Sequence, residues 1–438
     1  MPGYRSFRRL CFQTLGAYKC PAMFRAISSD EFPPFGKFQL KLPPVADKPN
    51  DLAEVHLFTG VNGAGKTRIL SVLAAMLGQS EPLHVRLRGS ESPFVFRASD
   101  SISPPVHQSE YMASQRHLQW QVGGPTATWA QNVPAFAYSG AAWVSDANIV
   151  AMTEVAKPKR VECLSFSRPQ NESQALLQSI ANLKLQAAMD SMSAQAHLQN
   201  GKLSHATRLI QAIEATVAEI TGRTFAFQMT SYPKPALEVS WGTGRLPIDL
   251  LPDGLRSIIG WLVHAVVMLD AWTQGKGDPY ETEVVFLLDE IESHLHPAWQ
   301  RRILPAFQRL FPKAQIFVAT HSPFVIASLN HGWIHQLSVG NDGLVTNKAP
   351  IQASKGDSYV SVVEDIMGVH EWYDPETEQL LNEFRAKRDA AYKGDADAKR
   401  DARQLADSIG SRSLELGYMM GRELSQMDRQ LAKPSQIP

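Results

Sequence analysis

Neither sign of charge dominates this sequence of 438 residues: lysine plus arginine number 43, and aspartate plus glutamate also 43. A chain balanced in this way has no whole-molecule attraction for nucleic acid or anionic lipid, so any such surface must be a local patch. Cysteine is scarce as well. Cys11, Cys20 and Cys163 are odd in number and lack metal-like pairing, which argues against a disulfide framework and fits a reducing compartment. Long apolar runs are missing too. The most apolar stretch, 258–271, is interrupted by His264 and Asp270; it is too short to span a bilayer and reads as a buried core helix. No long apolar run follows Arg5, Arg8 and Arg9, so no signal peptide is expected. These absences together lead us to expect a soluble, cytoplasmic protein with no membrane partner. No internal repeat is found. What is present is 44% hydrophobic side chains, enough to bury a core in a chain long enough for two or three units.

The first chemical signal is Gly60-Val61-Asn62-Gly63-Ala64-Gly65-Lys66-Thr67. It matches a phosphate-binding loop in pattern and in context, because the apolar run 55–58 precedes it and a Leu- and Ala-rich helix over 69–77 follows. Glycines at 60, 63 and 65 let the backbone curl so that N–H groups point inward at a phosphate. The start of the helix adds its positive end. Lys66 is placed to reach the β- and γ-oxygens and Thr67 to ligate Mg²⁺, with Asn62, Ala64 and Arg68 completing the expected nucleotide contacts.

A second signal is the near-continuous apolar run 284–288 ending in Asp289 and Glu290. A strand buried on both faces of a parallel sheet has this composition, and it would deliver both carboxylates to the sheet edge that carries the loop. Asp289 is expected to hold Mg²⁺, and Glu290 to polarise the attacking water. A third strand, 315–320, ends at His321, a candidate sensor of the γ-phosphate. Glu290, Glu292, His294 and His296 also form a dense set of potential Zn²⁺ ligands, but their spacing matches no common paired-ligand pattern and Pro297 marks a helix start.

Between these signals the chain changes character. Residues 80–135 are rich in Ser, Pro, Gln and Arg, with short strands expected at 94–96 and 120–122 and a turn at 123–125. Residues 173–199 and 203–221 carry apolar positions at helical spacing and predict a hairpin joined at Asn200-Gly201. Its charges form no basic stripe. Beyond Lys355 the chain turns polar and helical. Asp395-Ala396-Asp397 there could bind a metal, but the alternating charges around it favour a solvated helix face after a Gly394 loop. The expected units are 1–90 and 246–350 as two parts of one head, 91–245 as an insertion, and 351–438 as a helical extension.

The loop with Asn62, the strand ending Asp289-Glu290 and the strand end Thr320-His321-Ser322 resemble those of the ABC/SMC-like ATPases. The stretch from Leu288-Asp289-Glu290-Ile291-Glu292-Ser293-His294-Leu295-His296-Pro297 to Pro305 is similar, more narrowly, to a bacterial group of PtuA-like ATPases from Septu and retron-associated anti-phage systems. The resemblance covers 36–79 and 245–330 well, the C-terminal part loosely and 80–240 hardly at all. It implies an α/β, ABC-type P-loop ATPase head with a mixed sheet, an inserted helical hairpin lobe and a C-terminal helical extension. It also implies ATP and Mg²⁺ as ligands and a head-to-tail homodimer or higher homo-oligomer. In such a dimer each site is completed by the partner's signature loop, here Leu251-Pro252-Asp253-Gly254-Leu255-Arg256-Ser257, with Asp253 and Gly254 as contacts. Ser293 and His294 align with the loop that meets it across the dimer. The family has Ser where this chain has Pro252, a departure that points to slow hydrolysis.

Two functions compete on these grounds. One is an ATPase subunit of a bacterial defence complex controlling a separate nuclease of HNH or Toprim type, since no nuclease constellation is found in this chain. The other is a RecF/SMC-like DNA-repair ATPase acting directly on DNA. The neutral charge and short hairpin favour the first. A P-loop kinase fits less well, because kinases use a lid and have neither the signature-like loop nor His321.

Overall fold

The computed structural model describes residues 24–29, 35, 37–77, 94–99, 108–113, 118–119, 133–140, 161–163, 172–196, 203–230, 236–353, 356 and 358–431. The strand expected at 120–122, the turn at 123–125, the junction Asn200-Gly201, Arg5, Arg8, Arg9, Cys11 and Cys20 lie outside these residues. The chain divides into two compact units, Met1–Val362 and Val363–Pro438.

An eight-stranded sheet forms the centre of the first unit. Its order is Val345–Asn347, Trp333–Val339, Glu54–Gly60, Ala314–Ala319, Val284–Asp289, Ala135–Ser139 and Val161–Cys163, with Ile351–Gln352 pairing beside Trp333–Val339. From Trp333–Val339 to Val161–Cys163 every pairing is parallel, while the two short strands at the far edge run antiparallel. Val284–Asp289 and Ala314–Ala319 are buried along their whole length, which explains their unbroken apolar composition. Register is the important consequence. Asp289 pairs with Ala319, and Ala319 with Phe58, so three strands deliver their carboxyl ends to a single edge, with the strand Glu54–Gly60 running on past the other two into the loop.

Two expected boundaries differ. The strand Ala135–Ser139 falls inside the expected insertion 91–245, yet it pairs directly with the acidic strand in the main sheet. It is short and carries no motif, so nothing in the sequence marks it as central. The strand Ile351–Gln352, expected to begin the helical extension, pairs with Trp333–Val339, and the division between units falls at residue 362.

Two smaller antiparallel sheets accompany the main one. Phe38–Lys41, Ala26–Ser29, Phe94–Ser99, Gln108–Ala113 and Leu118–Gln119 make one; Gly244–Pro247, Ala236–Trp241 and Phe225–Thr230 make the other. The hairpin helices are Glu172–Ala196 and His205–Thr221. Ser204 caps the second by accepting from Thr207 N–H at 3.2 Å, and Gly222 ends it in a left-handed conformation. The second helix buries Leu209, Ile210, Ile213, Val217 and Ile220, the apolar stripe read from the sequence, and Lys184 on the first helix pairs with Glu214 at 2.8 Å. The helix Asp253–Trp272 is long and apolar enough in composition to cross a membrane, but most of it is buried inside the head.

The second unit contains helices Pro375–Tyr392, Ala396–Gly410 and Leu414–Leu431 around Leu381, Phe384, Ala406, Ile409, Leu416 and Met420. Asp395 caps the middle helix, accepting from Ala398 N–H at 2.9 Å, and Asp397 faces Arg400 at 3.3 Å. The Asp395-Ala396-Asp397 sequence is therefore a helix start. Among the described residues no cluster of three or more potential metal ligands is found. His296, one of the four considered for zinc, caps the helix Pro297–Leu310 by accepting from Ala298 N–H at 3.2 Å.

Candidate nucleotide site

The strand Glu54–Gly60 ends where the helix Lys66–Met76 is about to begin, and the five residues between them form the loop. Gly60 and Gly65 are required by geometry. At Gly60 φ is +150°, and a Cβ would lie 2.2 Å from the Leu337 carbonyl oxygen of the neighbouring strand. At Gly65 φ is +81°, and a Cβ would lie 2.5 Å from the ring of Phe35. Phe35 is itself buried in the core, so an aromatic floor far from the motif supports the loop's last turn. A side chain at either position would have to displace backbone or a packed ring.

Lys66 is 6% exposed, and its Nζ donates to the carbonyls of Gly60 at 2.9 Å and Val61 at 3.2 Å. Burial pulls its pKa below the ordinary lysine value, and the charges of Asp289, Glu292 and Glu290 oppose that pull. An ammonium held inside a curled loop, bonded among the described residues to neutral carbonyls, can exchange them for phosphate oxygens. Thr67 Oγ1 donates to Asp289 Oδ1 at 3.0 Å, which brings together a hydroxyl and a carboxylate 222 positions apart in the sequence. Hard oxygen donors of this kind suit Mg²⁺, which keeps several waters and takes few protein ligands.

The acidic strand turns sharply after Asp289. Glu290 adopts φ +49° and His294 φ +61°, left-handed conformations that are uncommon for residues with side chains. Backbone bonds hold the turn: Glu290 N–H to Ala319 O at 2.9 Å, Ser293 N–H to Glu290 O at 2.9 Å and Leu295 N–H to Glu292 O at 3.0 Å. Close approaches leave little room beside it. A Cβ on Gly140 would meet Ser293 and the Glu290 carbonyl, and one on Gly254 would meet the His294 carbonyl.

These elements enclose a cleft of about 470 Å³. Asn62, Gly63, Gly65, Lys66, Thr67 and Arg68 line it from the loop side, and Asp289, Glu290, Ala319 and His321 from the other strands. Burial lowers the His321 pKa, and the nearby Lys66 charge lowers it further against Glu292 and Glu290. Its imidazole is therefore neutral near pH 7 and can donate one N–H. Of the residues expected from the sequence, Gly60 and Ala64 shape the loop from beneath. Asp253, Gly254 and Ser293 are not among the residues lining this cleft; Asp253 pairs with Arg256. Pro252 occupies the cap position of the helix Asp253–Trp272 and offers no side-chain cap bond. Sequence reasoning overlooked Glu292 and Gln300. Glu292 had been weighed only as a zinc ligand, and Gln300 carries no motif.

The order of the strands, the loop between the central strand and its helix, and the carboxylates at the neighbouring strand end make an α/β head with a mixed sheet and the geometry of a phosphate-binding loop. Residues 236–327 match the family described as "AAA domain, putative AbiEii toxin, Type IV TA system". Among curated proteins the chain is similar to the Septu protein PtuA of Bacillus thuringiensis, 26% identical over 34% of this chain and 39% of that protein. It is also similar to the Retron Ec83 probable ATPase of Escherichia coli, 29% identical over 26% of this chain and 22% of that one. The chain spans less than half the length of these relatives. Among solved structures, the Smc head bound to the C-winged-helix domain of ScpA aligns with a TM-score of 0.43 at 12% identity, over 75% of this chain and 97% of that chain.

Proposed function

We propose that this chain is the ATP-binding and ATP-hydrolysing subunit of a bacterial anti-phage defence complex, closing head to tail with a second copy and governing a separate nuclease subunit. The observation that carries the ATPase reading is the convergence of Lys66, Thr67, Asp289, Glu290 and His321 on one cleft at the carboxyl ends of three parallel strands. The defence context rests on the similarity to PtuA and to a retron ATPase.

In this reading the loop N–H groups and Lys66 bind the β- and γ-phosphates, and the start of the helix Lys66–Met76 adds its dipole. Mg²⁺ held by Thr67 and Asp289 would neutralise charge on the phosphate oxygens. Glu290, the exposed carboxylate beside Asp289, accepts the proton of the attacking water. His321 donates its N–H to the γ-phosphate and so distinguishes ATP from ADP. Asp253, Gly254 and Ser293, outside their own cleft, act at the cleft of the second copy, and Pro252, lacking a hydroxyl, makes turnover slow. The unit Val363–Pro438 plays no part in this chemistry and is the docking surface for the nuclease, of HNH or Toprim type.

The test is purification of the chain alone and with the product of its neighbouring gene. Alone, it should bind ATP, form a dimer or larger oligomer, hydrolyse slowly and cut no DNA with Mg²⁺ or Mn²⁺. Together, the two should form a complex that is lost when residues 363–438 are deleted. DNA cutting by the isolated chain, or direct DNA binding without the neighbour, would move the reading to a repair ATPase.

A further inference from the structure

The nucleotide reading leaves Glu292 without a task, although its environment is unusual. Its Oε1 accepts the backbone N–H of His321 at 2.7 Å. Its Oε2 is buried and has no hydrogen-bond partner among the described residues. Its charge acts on both Lys66 and His321. A carboxylate in this position costs desolvation energy, and what it visibly does is hold one peptide N–H.

The neighbouring bonds extend the same hold. Gln300, on the helix Pro297–Leu310, donates from Nε2 to the Leu295 carbonyl at 2.9 Å, and its Oε1 accepts from Ser322 Oγ at 2.6 Å. Ser322 Oγ in turn accepts from the N–H groups of Phe324 and Val325, and Thr320 Oγ1 accepts from Ser322 N–H at 2.9 Å. His321 is thus fixed at its own N–H and at the residue that follows it, both times to the turn that carries Glu290. Only its imidazole is left to face the cleft.

We infer that Glu292, supported by Gln300, is a positioning residue: it ties the His321 backbone to the acidic turn, so that the histidine and the Glu290 carboxylate keep a set distance while nucleotide enters between them. This rests on the proposed nucleotide site and adds a residue to it. The constraint is local to 290–295 and 320–322, so removing it should leave phosphate binding by the loop largely intact and disturb the step that needs both groups aligned. Misplacement of a reacting group by about 1 Å can cost as much as about 10²-fold in rate.

Two measurements on the full chain test this. Hydrogen exchange followed by mass spectrometry reads the tether without requiring activity. Residues 319–323 should exchange faster in Glu292→Ala than in wild type, and Glu292→Gln, whose amide oxygen can still accept from His321, should restore protection. Unchanged exchange in Glu292→Ala would overturn the inference even if the protein proved not to hydrolyse ATP. ATP turnover reads the consequence. Glu292→Ala should lower kcat by about 10- to 100-fold with KM within about threefold, Glu292→Gln should recover most of the loss, and Glu292→Ala in a His321→Ala background should cost nothing further. Equal losses in the Ala and Gln variants, or multiplicative losses in the double variant, would show that Glu292 acts by its charge or independently of His321, and would overturn the positioning role. Absence of turnover in wild type would count against the proposed ATPase alone, with the exchange result still deciding the tether.

Discussion

Two polar clusters share the strands of the central sheet, and they are opposite in kind. At the carboxyl edge, Lys66, Thr67, Asp289, Glu290 and His321 line an open cleft. Nearer the other end of the same strands, Glu54, His56, Gln315 and His335 are sealed in the core with Arg25 beside them. In the sealed cluster nearly every group is matched. Glu54 accepts from Arg25 and from Gln315 Nε2 at 3.1 Å. His56 Nε2 lies 3.0 Å from Glu54, and His56 Nδ1 lies 3.1 Å from His335 Nε2. Burial keeps both histidines neutral. His56 Nε2 therefore carries the proton toward the carboxylate, His56 Nδ1 accepts from His335 Nε2, and His335 Nδ1 is left as a buried acceptor with no partner among the described residues. A cluster that satisfies itself in this way holds strands together. The open cluster keeps a lysine bonded to loop carbonyls and an exposed glutamate, groups that can change partners, and such groups make a site.

The sharpest test of this contrast is Lys66→Ala, which should reduce ATP binding by about 10²-fold or more, because charge-assisted bonds to the phosphates are lost, while thermal stability changes little. Calorimetric titration with ATP alongside a melting curve checks both halves; native affinity would remove the site from this cleft. Next in size, Glu290→Gln should lower kcat by about 10²- to 10⁴-fold, the range for loss of a general base, with ATP affinity retained and a longer-lived oligomer visible by size-exclusion chromatography. Native turnover would place the base elsewhere.

In the sealed cluster the effects should fall on stability. Glu54→Ala leaves Arg25 and His56 without their acceptor, and should cost about 3 kcal/mol by denaturant unfolding. A loss below about 1 kcal/mol would mean that solvent reaches the pair. The smallest effect is the pH dependence. The Glu54 pKa is held down to about 2: burial opposes ionisation, but the bonds from His56 and Arg25 outweigh it. Its stabilising contribution is present above the ordinary carboxylate range and is lost as pH falls toward 2. The histidines act in the same direction at higher pH. Their folded values lie below the ordinary 6.5, so the unfolded chain takes up protons first and stability falls as pH drops below about 6.5, by up to about 1.4 kcal/mol per pH unit for each group. His335→Gln should flatten the slope of unfolding free energy between pH 7 and 5. An unchanged slope would assign the dependence to other groups.

The sequence legibly carried much of what depends on neighbouring residues. The glycine spacing of the loop, the apolar runs ending at Asp289 and Thr320, the stripe from Leu209 to Ile220 and the helical character beyond Lys355 all follow from local pattern, because helix and strand periodicity and turn chemistry act over a few residues. Contacts between distant segments were not legible. Nothing near Phe35 says that its ring supports Gly65, nothing in the short run Ala135–Ser139 places it beside the acidic strand, and His56 meets His335 across 279 residues. The brace from Glu292 and Gln300 to His321 and Ser322 likewise exists only once the strand register sets the two turns side by side. The sequence by itself determined the loop pattern and the acidic and histidine strand ends on which the proposed nucleotide site rests. Tertiary structure alone decided which of its polar groups remain available and which are used up in the core, because burial and hydrogen-bond satisfaction depend on what the folded chain brings together.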